Sequence, residues 1–238
     1  MTSPVLEGVG IRAGYGDVEV LRGIDIALPP KSVVALIGAN GAGKTTLLKT
    51  ISGLLPLRGG EIRINGEPIG GLAPHKVVEA GFVQSPEGKQ LFPEMTIAEN
   101  LMVGAHSKRA RARREETMEE VFELFPILRE RARQRAGTMS GGQQQMIAVG
   151  RALMALPKVL ALDEPSLGLA PIMVSRLMES IEQIRHRDLS ILIIEQNIFQ
   201  VLKMADHAYV LENGEIAKQG GGQELLADPH LRSTYLGL

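Results

Sequence analysis

Residues 38–45 read Gly-Ala-Asn-Gly-Ala-Gly-Lys-Thr, and this stretch decides how the chain around it folds. Residues 32–37, Ser-Val-Val-Ala-Leu-Ile, precede it and have the near-continuous apolar character of a strand buried on both faces. Residues 45–55 follow it and repeat apolar side chains at helical spacing, at Leu47, Leu48, Ile51 and Leu55. The sequence therefore predicts a buried strand, a glycine-rich loop and a helix in direct succession.

The loop has the pattern G-x-x-x-x-G-K-[ST] of a phosphate-binding loop. Its glycines let backbone N–H groups approach phosphates closely, and the following helix adds the positive end of its dipole. We expect Lys44 to neutralise the β- and γ-phosphates as a catalytic residue, and Thr45 to ligate Mg²⁺. A chance glycine-rich turn is the alternative, since the pattern arises by chance in on the order of one chain in a hundred of this length. The flanking strand and helix argue against chance.

A second apolar run, residues 159–162, ends in Asp163 and Glu164. A nucleotide site in an open α/β sheet needs a carboxylate delivered at the end of a buried strand. We expect Asp163 to hold Mg²⁺ through water and Glu164 to orient or deprotonate the attacking water. Alone, an apolar run ending in Asp-Glu marks only the end of a strand, so the interpretation depends on the phosphate-binding loop.

The rest of the chain alternates predicted strands and helices, which indicates an α/β core with a parallel sheet. Short β-like runs occur within residues 5–37, and breaks between them are predicted at Gly14, Gly16, Pro29 and Pro30. Hairpin turns are predicted at Asn65-Gly66 and Asn213-Gly214. A helix is predicted over residues 172–185 and a third apolar strand over 190–194. Residues 96–156 are helical in pattern and highly charged. We interpret their basic run, 108–114, as a solvated helical face; a nucleic-acid or lipid contact is the alternative.

Composition excludes several functional classes. The chain has 238 residues, a formal net charge of -1 and no cysteine, so a disulfide framework, a thiol nucleophile and a thiolate zinc site are excluded. The near-neutral charge suggests no nucleic-acid partner. No apolar run is long enough for a membrane span, and residues 1–7 lack the pattern of a secretory signal. We therefore expect a cytoplasmic protein. The five histidines show no ligand spacing, at His75, His106, His186, His207 and His230.

The stretch Met-Ser-Gly-Gly-Gln-Gln at 139–144 carries a third motif. It resembles the signature sequence of ABC ATPases, with Met139 in place of the usual leading leucine. The local alternative is an ordinary capping box between Ser140 and Gln143. Both interpretations can hold, because a helix N-terminus with two glycines is also an anion site.

The resemblance to that family covers the whole chain and implies further assignments. In that family two ATPase subunits sandwich two ATP molecules head to tail, so a second copy or a second ATPase subunit is expected as partner. The resemblance places Tyr15 against adenine and makes Gln84 a link between Mg²⁺ and the membrane partner. It also implies phosphate contacts from this chain at Gly38, Ala39, Asn40, Gly41, Ala42, Gly43, Lys44, Thr45 and Thr46. Contacts to the partner's nucleotide are implied at Ser140, Gly141, Gly142 and Gln143.

The implied fold is an α/β ATPase core with an N-terminal antiparallel β subdomain and an inserted helical subdomain. We expect one domain over residues 1–238, with the core at about 1–87 and 158–238 and the helical subdomain at about 88–157. The surface at 84–95 is expected to receive a short helix from the membrane partner.

Five stretches resemble one branch, the ATPase subunits of branched-chain amino-acid importers. They are residues 85–88, 91–96, 98–101, 164–171 and 195–197. The resemblance implies a peripheral protein on the inner face of the membrane, with transmembrane permease subunits and a separate solute-binding protein as partners. Urea and short-amide importers use similar motifs and remain the alternative.

Two positions depart from the family pattern. Gln196 stands where the family has a histidine that touches the γ-phosphate, and glutamine cannot carry the proton or the positive charge. We therefore expect slower hydrolysis at this site than at a site with histidine. Ala170 stands where most members have an aspartate. Lineage drift without consequence is the alternative for both.

Other ATP- and GTP-dependent proteins fit less well. DNA-repair and chromosome-organising ATPases need a long coiled coil between the loop and the signature, and only about 95 residues intervene here. Translation-factor ABC proteins carry two ATPase units in one chain, and this chain has one. The guanine-reading motif Asn-Lys-x-Asp of regulatory GTPases is absent from the sequence.

Overall fold

The structure, a computed structural model, describes residues 3–185 and 189–231 of the chain, except for the side chain of residue 230. Two of the histidines considered above, His186 and the side chain of His230, therefore lie outside the described residues. The strands are β1 (Leu6–Tyr15), β2 (Val18–Leu28), β3 (Val33–Ile37), β4 (Gly59–Ile64), β5 (Glu67–Pro68), β6 (Phe82–Ser85), β7 (Val159–Asp163), β8 (Ser190–Glu195), β9 (His207–Glu212) and β10 (Glu215–Gly220).

The helices lie between the strands and at the end of the described chain. They are α1 (Lys44–Ile51), α2 (Pro74–Ala80), α3 (Ile97–Gly104), α4 (Lys108–Ala112), α5 (Arg114–Leu124), α6 (Pro126–Glu130), α7 (Gly141–Leu153), α8 (Pro171–Arg185), α9 (Ile198–Met204), α10 (Gly222–Ala227) and α11 (Pro229–Leu231), with a short 3₁₀-helix at Ala136–Thr138. None of the helices in the described ranges is long and apolar enough to cross a membrane.

Two sheets form the framework. Six strands make the larger sheet in the order β10-β9-β3-β8-β7-β6, parallel except for the terminal hairpin of β9 and β10. The smaller sheet has the order β2-β1-β4-β5 and is antiparallel. The predicted combination of a parallel core sheet and an N-terminal antiparallel sheet is confirmed, as are both hairpins.

The central strand β3 explains why its sequence is apolar at every position. Val33, Ala35 and Ile37 enter one hydrophobic cluster, with side chains of α7, α8 and α9. Val34 and Leu36 point to the other face and join a cluster with α1 and the antiparallel sheet. Because successive strand residues face opposite sides, a strand covered on both faces needs no polar position.

Two elements differ in length from the prediction. Strand β1 runs through Gly14, where the sequence predicted a break, because its pairing with β2 shifts register between Ala13 and Gly14 and the irregularity absorbs the extra residue. Helix α1 ends at Ile51 and not at residue 55. Gly53 takes a left-handed φ of 72°, a conformation that ends helices and favours glycine.

The helices α3 to α7 all lie between β6 and β7 in the chain. Helix α7 packs on β6, α3 and α8, so it links this helical segment to the parallel sheet. The N-terminus of α7 carries the signature motif, and its position relative to the sheet therefore depends on this packing.

Candidate nucleotide-binding site

The glycine-rich loop leaves the carboxyl end of β3 and enters α1 at Lys44. Gly43 has φ 113°, a left-handed conformation that strains any residue with a Cβ. A Cβ on Gly38 would lie 2.3 Å from the carbonyl oxygen of Leu211, at the end of β9. These two glycines therefore let the loop turn sharply and lie flat against the neighbouring strand.

Lys44 points into the loop that precedes it. Its residue surface is only 5% exposed, and Nζ donates to the carbonyl oxygens of Gly38 at 2.7 Å and Ala39 at 3.0 Å. Burial lowers the pKa of Lys44, and the negative charges of Glu164 and Asp163 oppose that shift. The loop thus holds a cation at its centre, where a phosphate would be bound. Thr45 is exposed beside it, while Thr46 is buried.

Asp163 ends β7 with 3% of its surface exposed. Burial, followed by the charges of Glu164 and Glu87, raises its pKa to about 6. Its Oδ1 is buried and has no hydrogen-bond partner among the described residues. A buried carboxylate oxygen without a donor is costly, so this oxygen fits a cation.

Gln84 lies on β6, next to β7 in the sheet. Its Nε2 donates to Asp163 Oδ2 at 3.3 Å, and its Oε1 accepts a hydrogen bond from Ser52 Oγ at 2.8 Å. Sequence reasoning missed Ser52, because a serine at the end of a helix gives no signal of a partner 32 residues away. Thr45, Gln84 and Asp163 line one cavity of about 620 Å³. Thr45 and Asp163 offer hydroxyl and carboxylate oxygens, the ligands that Mg²⁺ prefers, so they fit the ion. Gln84 would add its amide oxygen once its amide group turns away from Ser52.

Glu164 adopts φ 46°, a rare conformation for a residue with a long side chain. Its N–H donates to the carbonyl oxygen of Ile194 on β8 at 2.8 Å, which ties this bend to the sheet. Gln196, at the end of β8, donates from Nε2 to Glu164 Oε1 at 2.9 Å. The structure thus brings together two side chains that the sequence assigned to the same reaction from 32 positions apart.

The signature residues lie at the N-terminus of α7 and form the predicted capping box. Ser140 Oγ accepts from the Gln143 N–H at 3.4 Å, and Gln143 Oε1 accepts from the Ser140 N–H at 3.1 Å. Within residues 3–185 and 189–231, no hydrogen bond or ion pair joins residues 140–143 to the glycine-rich loop of the same chain. Ser140 and Gly141 are exposed, Gln143 is half-buried and Gly142 is buried.

Tyr15 ends β1, opposite Val18, and is 46% exposed. Its neighbouring strand approaches the glycine-rich loop, since a Cβ on Gly43 would lie 3.5 Å from a side-chain carbon of Val20. Tyr15 thus presents an exposed aromatic ring at the end of a strand pair that reaches this loop, and such a ring can stack on a base. Ala170 precedes α8 and is exposed.

Comparison with known proteins identifies the family. The sequence model of the family described as "ABC transporter" matches residues 21–167, more than half of the chain. The chain is 47% identical over 223 residues to the high-affinity branched-chain amino acid transport ATP-binding protein BraG of Pseudomonas aeruginosa, covering 94% of this chain and 95% of that protein. It is 33% identical over 253 aligned positions to BraF, a protein of the same description and organism, covering 100% of this chain and 99% of that protein.

Solved structures agree with these relatives. The ADP conformation of an ATP-binding cassette of an ABC transporter superposes with a TM-score of 0.86 at 30% identity, covering all of both chains. The chain belongs to the ABC transporter family and is an ATPase subunit of it.

Proposed function

We propose that this chain hydrolyses ATP to energise the uptake of branched-chain amino acids through separate membrane subunits. The single observation that carries the proposal is the cluster at the carboxyl ends of β3, β6, β7 and β8. This cluster, beside the glycine-rich loop, contains the buried Lys44, the Oδ1 atom of Asp163 that has no hydrogen-bond partner among the described residues, and the hydrogen-bonded pair of Glu164 and Gln196. The likeness to BraG supports the choice of cargo.

The residues have distinct roles in this proposal. Residues 38–46 bind the phosphates, with Lys44 exchanging its carbonyl partners for phosphate oxygens. Thr45, Gln84 and Asp163 would hold Mg²⁺, which supplies positive charge to neutralise the phosphates. Glu164 orients the attacking water and accepts its proton. Because Gln196 engages Oε1, we assign Oε2 of Glu164 to the water.

We propose that the active unit contains two ATPase subunits. Among the described residues no hydrogen bond or ion pair joins residues 140–143 to the glycine-rich loop, and we assign them to the nucleotide of a partner subunit. Gly141 and Gly142, at the start of α7, have backbone N–H groups without a partner inside the helix, and such groups are suited to binding a phosphate. The partner is a second copy or a different ATPase subunit. Tyr15 would stack on the adenine of this chain's own nucleotide.

We propose that membrane subunits dock where the cavity beside Gln84 opens. Its rim includes the exposed apolar side chains Leu54 and Val103, and Phe92 is exposed nearby. Exposed apolar side chains around a concave surface suit a short amphipathic helix. Since Gln84 reaches Asp163 from this cavity, such a contact would couple the membrane partner to hydrolysis. The helical subdomain, residues 88–157, would then move with the membrane partner relative to the core.

This assembly would place the chain on the cytoplasmic face of the membrane. The solute would be selected by the membrane subunits and a separate solute-binding protein.

The test compares ATP turnover of the chain alone and assembled with its membrane subunits in vesicles, beside Glu164→Gln. Turnover should rise on assembly and be lost in the variant, while ATP binding persists. Glu67→Gln is the matched control, because it removes an exposed carboxylate on β5. No turnover in any assembly, despite ATP binding, would make this chain a regulatory half. Uptake of radiolabelled leucine, compared with urea and a short amide, would test the cargo.

A further inference from the structure

Glu195, the last residue of β8, is a buried carboxylate that the proposed function does not use. Only 2% of its surface is exposed. Carboxylates are almost never buried to this extent unless they are paired. In the described part of the chain Glu195 forms no ion pair with a lysine or an arginine. Burial raises its pKa, and hydrogen bonds from Ser166 and from the backbone of Asn197 and Gln196 oppose the shift.

The hydrogen bonds of Glu195 reach two separate loops. Its Oε1 accepts from the backbone N–H of Ser166 at 2.8 Å. Its Oε2 accepts from the N–H groups of Gln196 at 3.2 Å and Asn197 at 3.5 Å. One oxygen therefore holds the loop after Glu164, and the other holds the turn that carries Gln196.

These two loops carry the side chains of the proposed hydrolysis step. Glu164 lies two residues before Ser166, and its backbone is held at φ 46°. Gln196 directly follows Glu195 and donates to Glu164 Oε1 at 2.9 Å. A displacement of either loop would break this hydrogen bond, because such bonds weaken steeply when distance or angle departs from the optimum.

We propose that Glu195 is a positioning residue for ATP hydrolysis: its carboxylate bridges the loop after Glu164 to the turn at Gln196 and so sets the geometry of the Glu164–Gln196 pair. This inference rests on the proposed function, which assigns Glu164 and Gln196 their roles. Glu195 acts through these residues and needs no contact with the nucleotide.

The chemistry of the site requires a carboxylate of this length. An ionised carboxylate has two oxygens and only accepts hydrogen bonds, which matches N–H donors on both sides. A glutamine at this position would turn its NH₂ group toward one of the two loops. There the NH₂ donor would face a backbone N–H donor, and no hydrogen bond could form between them. An aspartate is one methylene shorter and would reach one loop only.

The test is steady-state ATP turnover of the assembled transporter carrying Glu195→Gln. We expect kcat to fall by up to about fivefold, equivalent to about 1 kcal/mol, while KM for ATP and the affinity for a fluorescent ATP analogue stay within about twofold of wild type. Among the described residues no hydrogen bond or ion pair joins Glu195 to the glycine-rich loop, so ATP binding should be spared. Glu195→Asp should retain an intermediate kcat, and it supplies the same comparison if the glutamine variant does not fold.

Thr117→Val is the matched control for lost stability. Thr117 is buried to the same extent, 2% exposed, and its hydroxyl donates to the carbonyl oxygen of Arg113 within the helical segment. The control should lower the melting temperature and leave kcat unchanged. The positioning role would be overturned if Glu195→Gln lowered kcat no more than this control does. It would also be overturned if KM for ATP rose by the same factor by which kcat fell.

A double-mutant cycle with Gln196→Ala adds a readout that general destabilisation would not move. Because Glu195 acts on the geometry of the Gln196–Glu164 bond, the effect of Glu195→Gln on kcat should shrink in the Gln196→Ala background. Additive effects would contradict the proposal. Glu164→Gln tests the proposed function separately. If Glu164→Gln lost ATP turnover while Glu195→Gln kept the turnover of wild type, the positioning role alone would be overturned and the proposed function would stand.

Discussion

Replacing Gln196 tests the proposed geometry of hydrolysis most directly. Gln196 Nε2 donates to Glu164 Oε1 at 2.9 Å, and Gln196 is exposed at the end of β8. A hydrogen bond to a charged group contributes about 1.5–3 kcal/mol when it is sheltered, and solvent weakens an exposed one to about 1 kcal/mol. If this bond orients Glu164 in the transition state, Gln196→Ala should lower kcat about fivefold.

Gln196→His should act in the opposite direction. Imidazole keeps an N–H donor for Glu164 and can also carry a positive charge below a pH of about 6.5. Turnover should therefore exceed that of wild type, with a larger gain at pH 6.5 than at pH 8.

Both variants are measured as ATP turnover of the assembled transporter, beside equilibrium binding of an ATP analogue. The affinity should stay constant, because the hydrogen bond of the side chain goes to Glu164, and none joins it to the glycine-rich loop among the described residues. An unchanged kcat for both variants would refute the reasoning, as would a loss of affinity that accounts for the whole effect. In either case the hydrogen bond would have no part in the rate-limiting step.

Three further substitutions test the site and its framework. Asp163→Asn removes a buried charge, so in buffer with a chelator and no metal it should raise the melting temperature at pH 8. In wild type, Mg²⁺-ATP should raise the melting temperature further, and the variant should lose this additional rise. An additional rise equal to that of wild type would contradict the metal assignment. Burial raises the pKa of Tyr209, so its stabilising contribution is complete below a pH of about 10 and is lost as pH rises further. Tyr209→Phe should therefore lower the free energy of unfolding in urea by about 1 kcal/mol at pH 7. If the difference in unfolding free energy between variant and wild type did not become smaller at pH 10.5, this reasoning would be refuted. Gly38→Ala would place its Cβ 2.3 Å from the Leu211 carbonyl oxygen and should cost about 2–3 kcal/mol of unfolding free energy. The control Gly71→Ala, which has φ 79° and open space, should cost about 1 kcal/mol, and equal losses would show that the close approach has no effect.

The core strands and the hairpins were predictable because their signals are local. A strand covered on both faces needs apolar residues at every position, which marks β3, β7 and β8 without knowledge of their neighbours. Asn-Gly pairs mark the turns between β4 and β5 and between β9 and β10, because both positions adopt left-handed conformations there. The helix starts at the glycine-rich loop and at Ser140 were predictable for the same reason.

The errors came from contacts between distant residues. The end of α1 depends on Gly53, where a Cβ would lie 2.3 Å from the carbonyl oxygen of Leu72. Helical periodicity continued to residue 55 and gave no sign of this contact. Strand β1 passes through Gly14 because β2 lies beside it and accommodates the irregularity in their pairing. The sequence of β1 by itself carries no signal of this pairing.

The chemistry of this protein was readable in its sequence, because the residue types and spacings of the glycine-rich loop, the Asp-Glu pair and the signature depend on short-range geometry. What only the tertiary structure decided is which of these groups meet. The strand order β10-β9-β3-β8-β7-β6 places the ends of β3, β6, β7 and β8 at one edge, and no local pattern encodes that order. The roles of Ser52 and Glu195 follow from it. A buried hydrogen bond between residues tens of positions apart depends on the packing of whole elements, so it leaves no periodic signal along the chain.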